Sequence, residues 1–142
     1  MSITSANAIF MLAIPGLFPT PVQLQQFAAE DIFDTGEIAP TEVVMGVDGV
    51  MTAGFVFVPL AMNISLQADS PSNVLFDAWW ATMYQTKDVL YASGLVVLNS
   101  TGSKYTLIKG SLTGYKAVPD AKKHLQPRRH TITWQNPIPA VA

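Results

Sequence analysis

Nine glycines and ten prolines, helped by Asn and Asp, cut most of this chain into pieces too short for anything but β-strands. Ala8–Ile14 is an apolar run of the kind that fills a strand buried on both faces, and Pro15-Gly16 stops it. Val22–Phe27 alternates approximately, with Val22 and Leu24 on one side and glutamines opposite. Thr41–Met45 and Met51–Val58 flank Gly46-Val47-Asp48-Gly49, whose Asp-Gly step predicts a β-hairpin. Met62–Ala68 alternates cleanly, with Met62, Ile64 and Leu66 facing inward. Strand-like pieces resume at Val89–Ala92, Leu95–Leu98, Tyr105–Ser111 and Leu112–Lys116. After a Pro119–Arg129 connection, His130–Trp134 reads as the last strand.

One region breaks this pattern. From Asn73 to about Thr86 the apolar residues follow helical spacing, with Leu75, Ala78, Trp79 and Met83 on one line and Phe76, Trp80 and Tyr84 on the next. Ser70-Pro71 supplies a capping hydroxyl and a proline at the first helical position, which predicts a helix over about residues 71–86. A stripe that wide, with Trp79 and Trp80 side by side, calls for two partners: its own sheet and something outside it. The expected fold class is mainly β, an antiparallel sandwich or barrel of about eight short strands with one flanking α-helix. A length of 142 residues fits a single domain spanning 1–142.

The first 29 residues carry no charge, which invites a membrane or signal reading. The longest apolar run there has seven residues, against about 20 for a membrane-spanning helix. Met1–Asn7 also lacks the basic segment of a signal peptide. The expectation is therefore a folded domain with no membrane partner. The apolar ends, Met1-Ser2-Ile3 and Pro137–Ala142, are expected to pack against a neighbouring subunit.

Charged residues are scarce, at 13%, and they are segregated. Residues 1–86 hold eight acids and no Lys or Arg; residues 87–142 hold all eight bases and two acids, Asp88 and Asp120. The net charge of −2 is thus a cancellation. Scarce charge on an apolar-rich chain suits a surface largely shared with neighbours. An acidic half and a basic half can meet in a head-to-tail contact.

Catalytic and ligand signatures are missing. There is no phosphate-cradling glycine loop, no nucleophile elbow and no cysteine, and the two histidines, His124 and His130, lack companion ligands. Asp31 with Asp34, and Glu37 with Glu42, lack calcium-loop spacing. No enzyme, cofactor or metal is expected. Lys104, Tyr105, Lys109, Tyr115, Lys116, Lys122, Lys123, Arg128 and Arg129 leave one alternative function, a barrel that binds single-stranded nucleic acid.

Several stretches resemble small tail proteins of contractile-tailed bacteriophages. They are Val44–Gly49 with Ala53-Gly54-Phe55, Ile64–Ser72, Asp77-Ala78-Trp79-Trp80, Tyr105-Thr106-Leu107 with Gly110, Asp120–Lys123 running into Leu125-Gln126-Pro127, and Thr131–Trp134. The resemblance spans roughly residues 40–135. It implies the tail-tube fold: a subunit of a homohexameric ring, stacked into the tube or serving as a tube-like adaptor at the baseplate. It further implies sheath, tape-measure and baseplate proteins as partners, DNA only in passage through the lumen, a place in the virion tail, and assembly in the host bacterial cytoplasm. The lumen in such families is acidic, whereas the strand Tyr105–Ser111 here is flanked by Lys104 and carries Lys109. Within this reading the expected inter-subunit contacts are Glu30, Asp31, Asp34, Glu37 and Glu42 on the acidic side and Lys122, Lys123, Arg128 and Arg129 on the basic side. Trp79 and Trp80 are expected to serve as an apolar face.

Overall fold

The short alternating segments become antiparallel strands in the computed structural model, which describes residues 8–25, 27, 33–99 and 101–141. Among these residues, nine strands and one helix follow in the order β1 (Ala8–Ile14), β2 (Phe18–Gln23), β3 (Phe33–Thr35), β4 (Thr41–Met45), β5 (Met51–Phe55), β6 (Leu60–Leu66), α1 (Asn73–Thr86), β7 (Ala92–Leu98), β8 (Ser103–Gly114) and β9 (Arg128–Val141). Seven strands form one sheet in the order β2-β1-β7-β8-β9-β6-β3, and β4 pairs with β5 alone. The fold is the expected one: mainly β, antiparallel, with one flanking helix.

The large sheet curls on itself. Four strands separate β1 from β3, yet Phe10 and Phe33 meet edge to face with centroids 5.8 Å apart. The chain after β2 closes the gap: Leu24 N–H donates to the Phe10 carbonyl at 2.9 Å, and Phe27 bridges to Leu66. The side chains inside this half-barrel are fully buried, among them Phe10, Leu12, Ile14, Ile64, Leu66, Ile132 and Trp134. Leu75, Phe76 and Trp79 of α1 join the same cluster, so the helix stoppers one end of the barrel.

Trp134 sets the packing at the centre. Gly94 of β7 and Gly110 of β8 lie against its ring, and a β-carbon on Gly94 would stand 2.9 Å from it. The absence of side chains at these two positions is what gives the indole room. Nearby, β8 carries an extra residue opposite Ser93, and Lys109 takes φ +50° there. Such a bulge re-aims a side chain, and the Lys109 ammonium lies 4.9 Å from the centre of the Tyr91 ring.

Several boundaries differ from the sequence expectation for physical reasons. The helix begins at Asn73, not Pro71. Ser70 Oγ donates to the Gln25 carbonyl while accepting from the Ser72 N–H at 3.3 Å, and Ser72 Oγ accepts from the Gln25 N–H, so both hydroxyls tie the chain after β2 to the helix entrance. Pro19 and Pro21 sit within β2 because β2 is an edge, where missing donors cost nothing. Tyr105–Ser111 and Leu112–Lys116 merge into a single 12-residue β8, and the last strand runs on through Pro137 and Pro139 to Val141. The C-terminal apolar segment is thus paired with β8 along one side, from Ser103↔Val141 onward, while most of its side chains beyond Trp134 stay exposed.

Candidate assembly surfaces

Residues Thr41–Phe55 make the expected hairpin, with Thr41 opposite Phe55 and Met45 opposite Met51. Its turn is built by local chemistry: Val50 N–H donates to Asp48 Oδ1 at 3.1 Å, Gly49 N–H donates to the Gly46 carbonyl at 3.0 Å, and Gly49 takes φ +86°. Every residue of both strands is exposed. Val43, Val44, Met45, Val50 and Met51 are each more than half exposed, Phe57 at its base is 90% exposed, and Val47 at the tip is fully open. Apolar side chains thus cover both faces, because Val43, Val44 and Met45 are consecutive in a strand. A lone two-stranded hairpin is marginal in water, and a contiguous exposed apolar patch marks a site of interaction.

A polar cluster pins α1 to the barrel. Arg128 is 5% exposed; its Nη2 donates to Asp77 Oδ1 at 2.7 Å and its Nε to the Lys116 carbonyl at 2.9 Å. The Tyr115 hydroxyl donates to the same Asp77 oxygen. Burial pushes the Asp77 carboxyl up, but the bonds from Arg128 and Tyr115 and the guanidinium charge outweigh it and hold Asp77 below the usual range. Burial and the adjacent carboxylate raise the Tyr115 hydroxyl. His130 is fully buried, and burial together with the neighbouring Arg128 charge lowers its pKa to about 4, against a smaller opposing pull from Asp77. The Asn73 amide donates to the Gln67 carbonyl at 2.9 Å, so its oxygen is free to accept from His130 Nε2 at 3.3 Å. Lys116 N–H approaches Nδ1 at 3.4 Å. This assigns a neutral ring protonated on Nε2. Four rings stack outward from the core: Phe76 on His130 at 4.3 Å, His130 on Tyr115 at 5.5 Å, and Tyr115 on Trp80 at 5.7 Å.

The expected contact residues divide into groups. Glu30 and Asp31 lie outside the described residues. Glu37 and Glu42 are exposed, as are Lys122 and Lys123. Trp80 is 44% exposed, beside Tyr84 at 60%. Trp79 is not an outer-face residue: it is fully buried and donates its Nε1–H to the Leu90 carbonyl at 3.0 Å. Arg128 is likewise taken up inside the chain, by Asp77. Arg129 bonds Asp34 within the same chain at 3.0 Å, so part of the acid–base pairing expected between copies is already made within one. Lys116 pairs with Asp120 at 3.0 Å. Three members of the basic set are thus held by carboxylates, which thins the surface left for a nucleic acid. The polar cluster was hidden in the sequence because Asp77, Tyr115 and Arg128 are far apart along it. The two-sided hairpin was visible there as unbroken Val43-Val44-Met45.

Among the described residues no group of three or more His, Asp or Glu could hold a metal ion, and no helix is long and apolar enough to cross a membrane. The fold has clear counterparts. A chain of the sheath/tube terminator of the PVC extracellular contractile injection system, in its extended state, matches at TM-score 0.67 and 13% identity, over 99% of this chain and 98% of that one. A chain of the anti-feeding prophage baseplate matches at 0.61 and 13%, over 99% and 97%. A chain from the structure of the tube-terminating cap of the same prophage matches at 0.60 and 13%, over 100% and 93%. The architecture is therefore the tail-tube-like fold of contractile injection systems. No curated protein matches the sequence. Residues 1–137 match the family described as tail fiber protein gp32, and the chain belongs to that family. It is a structural tail protein and not an enzyme.

Proposed function

We propose that this chain is a ring-forming subunit of a contractile bacteriophage tail, in the tube or in a tube-like ring at its junction with the baseplate. Six copies close a ring around the channel through which tape measure and DNA pass, and sheath and baseplate proteins meet its outside. One domain over residues 1–142 forms the subunit, which assembles in the bacterial cytoplasm before it is part of a virion. The observation that carries this reading is the exposed apolar hairpin Thr41–Phe55 on a tube-like fold. An element that buries nothing in its own subunit is accounted for by burial in another. The matches to tube-terminator and baseplate chains support the same reading.

Glu37, Glu42, Lys122, Lys123 and Trp80 remain available as contacts between copies or to the sheath. Negative-stain microscopy of the purified protein across a concentration series tests the proposal. Six-fold rings or tubes are expected. A monodisperse single-copy particle at every concentration would overturn it.

A further inference from the structure

Among the described residues, the barrel is stoppered by α1 at one end and open at the other. We propose that this open end is the seat for the β4–β5 hairpin of a second copy of the chain, an inference that rests on the ring-forming reading above. The mouth is a cavity of about 480 Å³, and Phe33, Ile38, Leu98, Tyr105, Pro137 and Pro139 form its rim. At its floor it reaches the core through Met62 and Leu107, each 2% exposed. Among the described residues nothing covers this apolar mouth.

The prolines decide how a cover binds. Strand β6 pairs with β9 only as far as Trp134, so beyond it β9 has a free side. Pro137 and Pro139 stay paired with Leu107 and Tyr105 of β8, which turns their nitrogens toward that free side. A partner strand finds carbonyls but no N–H at those two positions, so a regular ladder cannot form there. The seat therefore takes apolar side chains into its mouth and not a regular added strand along its edge.

The hairpin has what the seat lacks. The exposed parts of Val43, Val44, Met45, Val47, Met51 and Phe57 and their neighbours amount to roughly 1,000 Å², comparable with the ~800 Å² that one partner gives to a stable interface. Its own mouth is not filled by it, because every residue from Thr41 to Phe55 stands exposed. Hairpin and mouth are different surfaces of one chain, adjoining where Ile38 and Pro137 share a second cavity with Phe55 and Phe57, so the union of one copy's hairpin with another's mouth is head-to-tail, the kind of contact that closes into rings.

The chain has no cysteine, so engineered thiols report cleanly. Val47→Cys and Thr35→Cys, at the hairpin tip and on the exposed rim of the mouth, are purified separately, mixed and mildly oxidised. The expected result is a disulfide-linked dimer at least tenfold more abundant than from Val47→Cys mixed with Val74→Cys, on the outer face of α1. Equal yields from proteins that form rings under the microscope would sink the seat and leave the ring reading intact. If neither rings nor cross-links appear, both fall. A doubly substituted chain that cross-links only within itself would show the hairpin folding back, and would also overturn the proposal. Val47→Asp with Met51→Asp is expected to abolish the cross-linkable contact and the rings while the thermal midpoint of the single copy is unchanged.

Discussion

Gly110 of β8 sits directly opposite Trp134 of β9, with the indole ring in the space a side chain would need. Gly110→Ala is therefore expected to destabilise the fold by ~1–3 kcal/mol, the usual cost of overpacking a filled core. Trp134 Nε1 is buried and has no hydrogen-bond partner among the described residues. Trp134→Phe removes that unbonded donor along with some ring volume, and an unmet buried donor costs ~1–3 kcal/mol. Trp134→Phe should thus be milder than a core truncation and should relieve Gly110→Ala in the double variant. Urea denaturation of the four proteins checks this, and additive losses would contradict it.

Acid should loosen the fold first through His130. His130 is neutral when folded, with its pKa lowered to about 4, whereas an unfolded histidine titrates near 6.5. Between pH 6.5 and 4 the unfolded chain takes up a proton that the folded chain refuses. Stability is then complete above pH 6.5 and falls by about 3 kcal/mol on the way to pH 4. Asp77, held below its ordinary value, adds a further loss as pH drops through and below the unfolded carboxylate range. Thermal midpoints measured from pH 8 to 4 should decline in this window, and His130→Gln should flatten the first part of the decline.

Two carboxylates of similar appearance should behave differently. Asp77 holds the guanidinium of Arg128, whose side chain is 6% exposed, whereas Asp34 and Arg129 are both about half exposed. Asp77→Ala strands a buried charge and is expected to cost ~2 kcal/mol, below the 3–5 of a fully enclosed pair because Asp77 itself is half open. Asp34→Ala should cost ~0–1 kcal/mol. Equal losses in denaturation would show that the cluster beneath α1 does not anchor the helix.

Because Arg128 and Arg129 are engaged within the chain, Lys122 and Lys123 are the basic residues of that connection left for another copy. Reversing both to Glu should weaken assembly at low salt, with the defect fading as salt approaches ~1 M, where screening shrinks to about 3 Å. Sedimentation at several ionic strengths reads this directly. Unchanged assembly at every salt concentration would remove these lysines from the interface.

Much of the fold was legible because local patterns agreed with their surroundings. Ala8–Ile14 became β1 with both limits as read, and the Asp48-Gly49 turn pinned the hairpin. Met62, Ile64 and Leu66 were buried as their alternation required. Legibility failed where a distant partner overrode the local signal. Ser70 reads as a cap for the helix alone, yet its hydroxyl, which accepts from the Ser72 N–H, also donates to the distant Gln25 carbonyl. Ser65 reads as solvent-facing, yet it is 6% exposed under the Arg129 guanidinium. Trp79 and Trp80 are neighbours in sequence, but the 100° step between helical positions sends one into the core and the other to the outer end of a ring stack. The hairpin's sequence disclosed its shape and not its isolation, which depends on the order of the other strands.

That isolation separates two tasks within one chain. Folding is settled by the barrel and α1, and nothing in Thr41–Phe55 contributes to their core. Those fifteen positions can change without endangering the fold that carries them. A lineage could rewrite its choice of neighbour there, and an engineer could exchange the segment between relatives, as one replaces the bit of a key and keeps the bow.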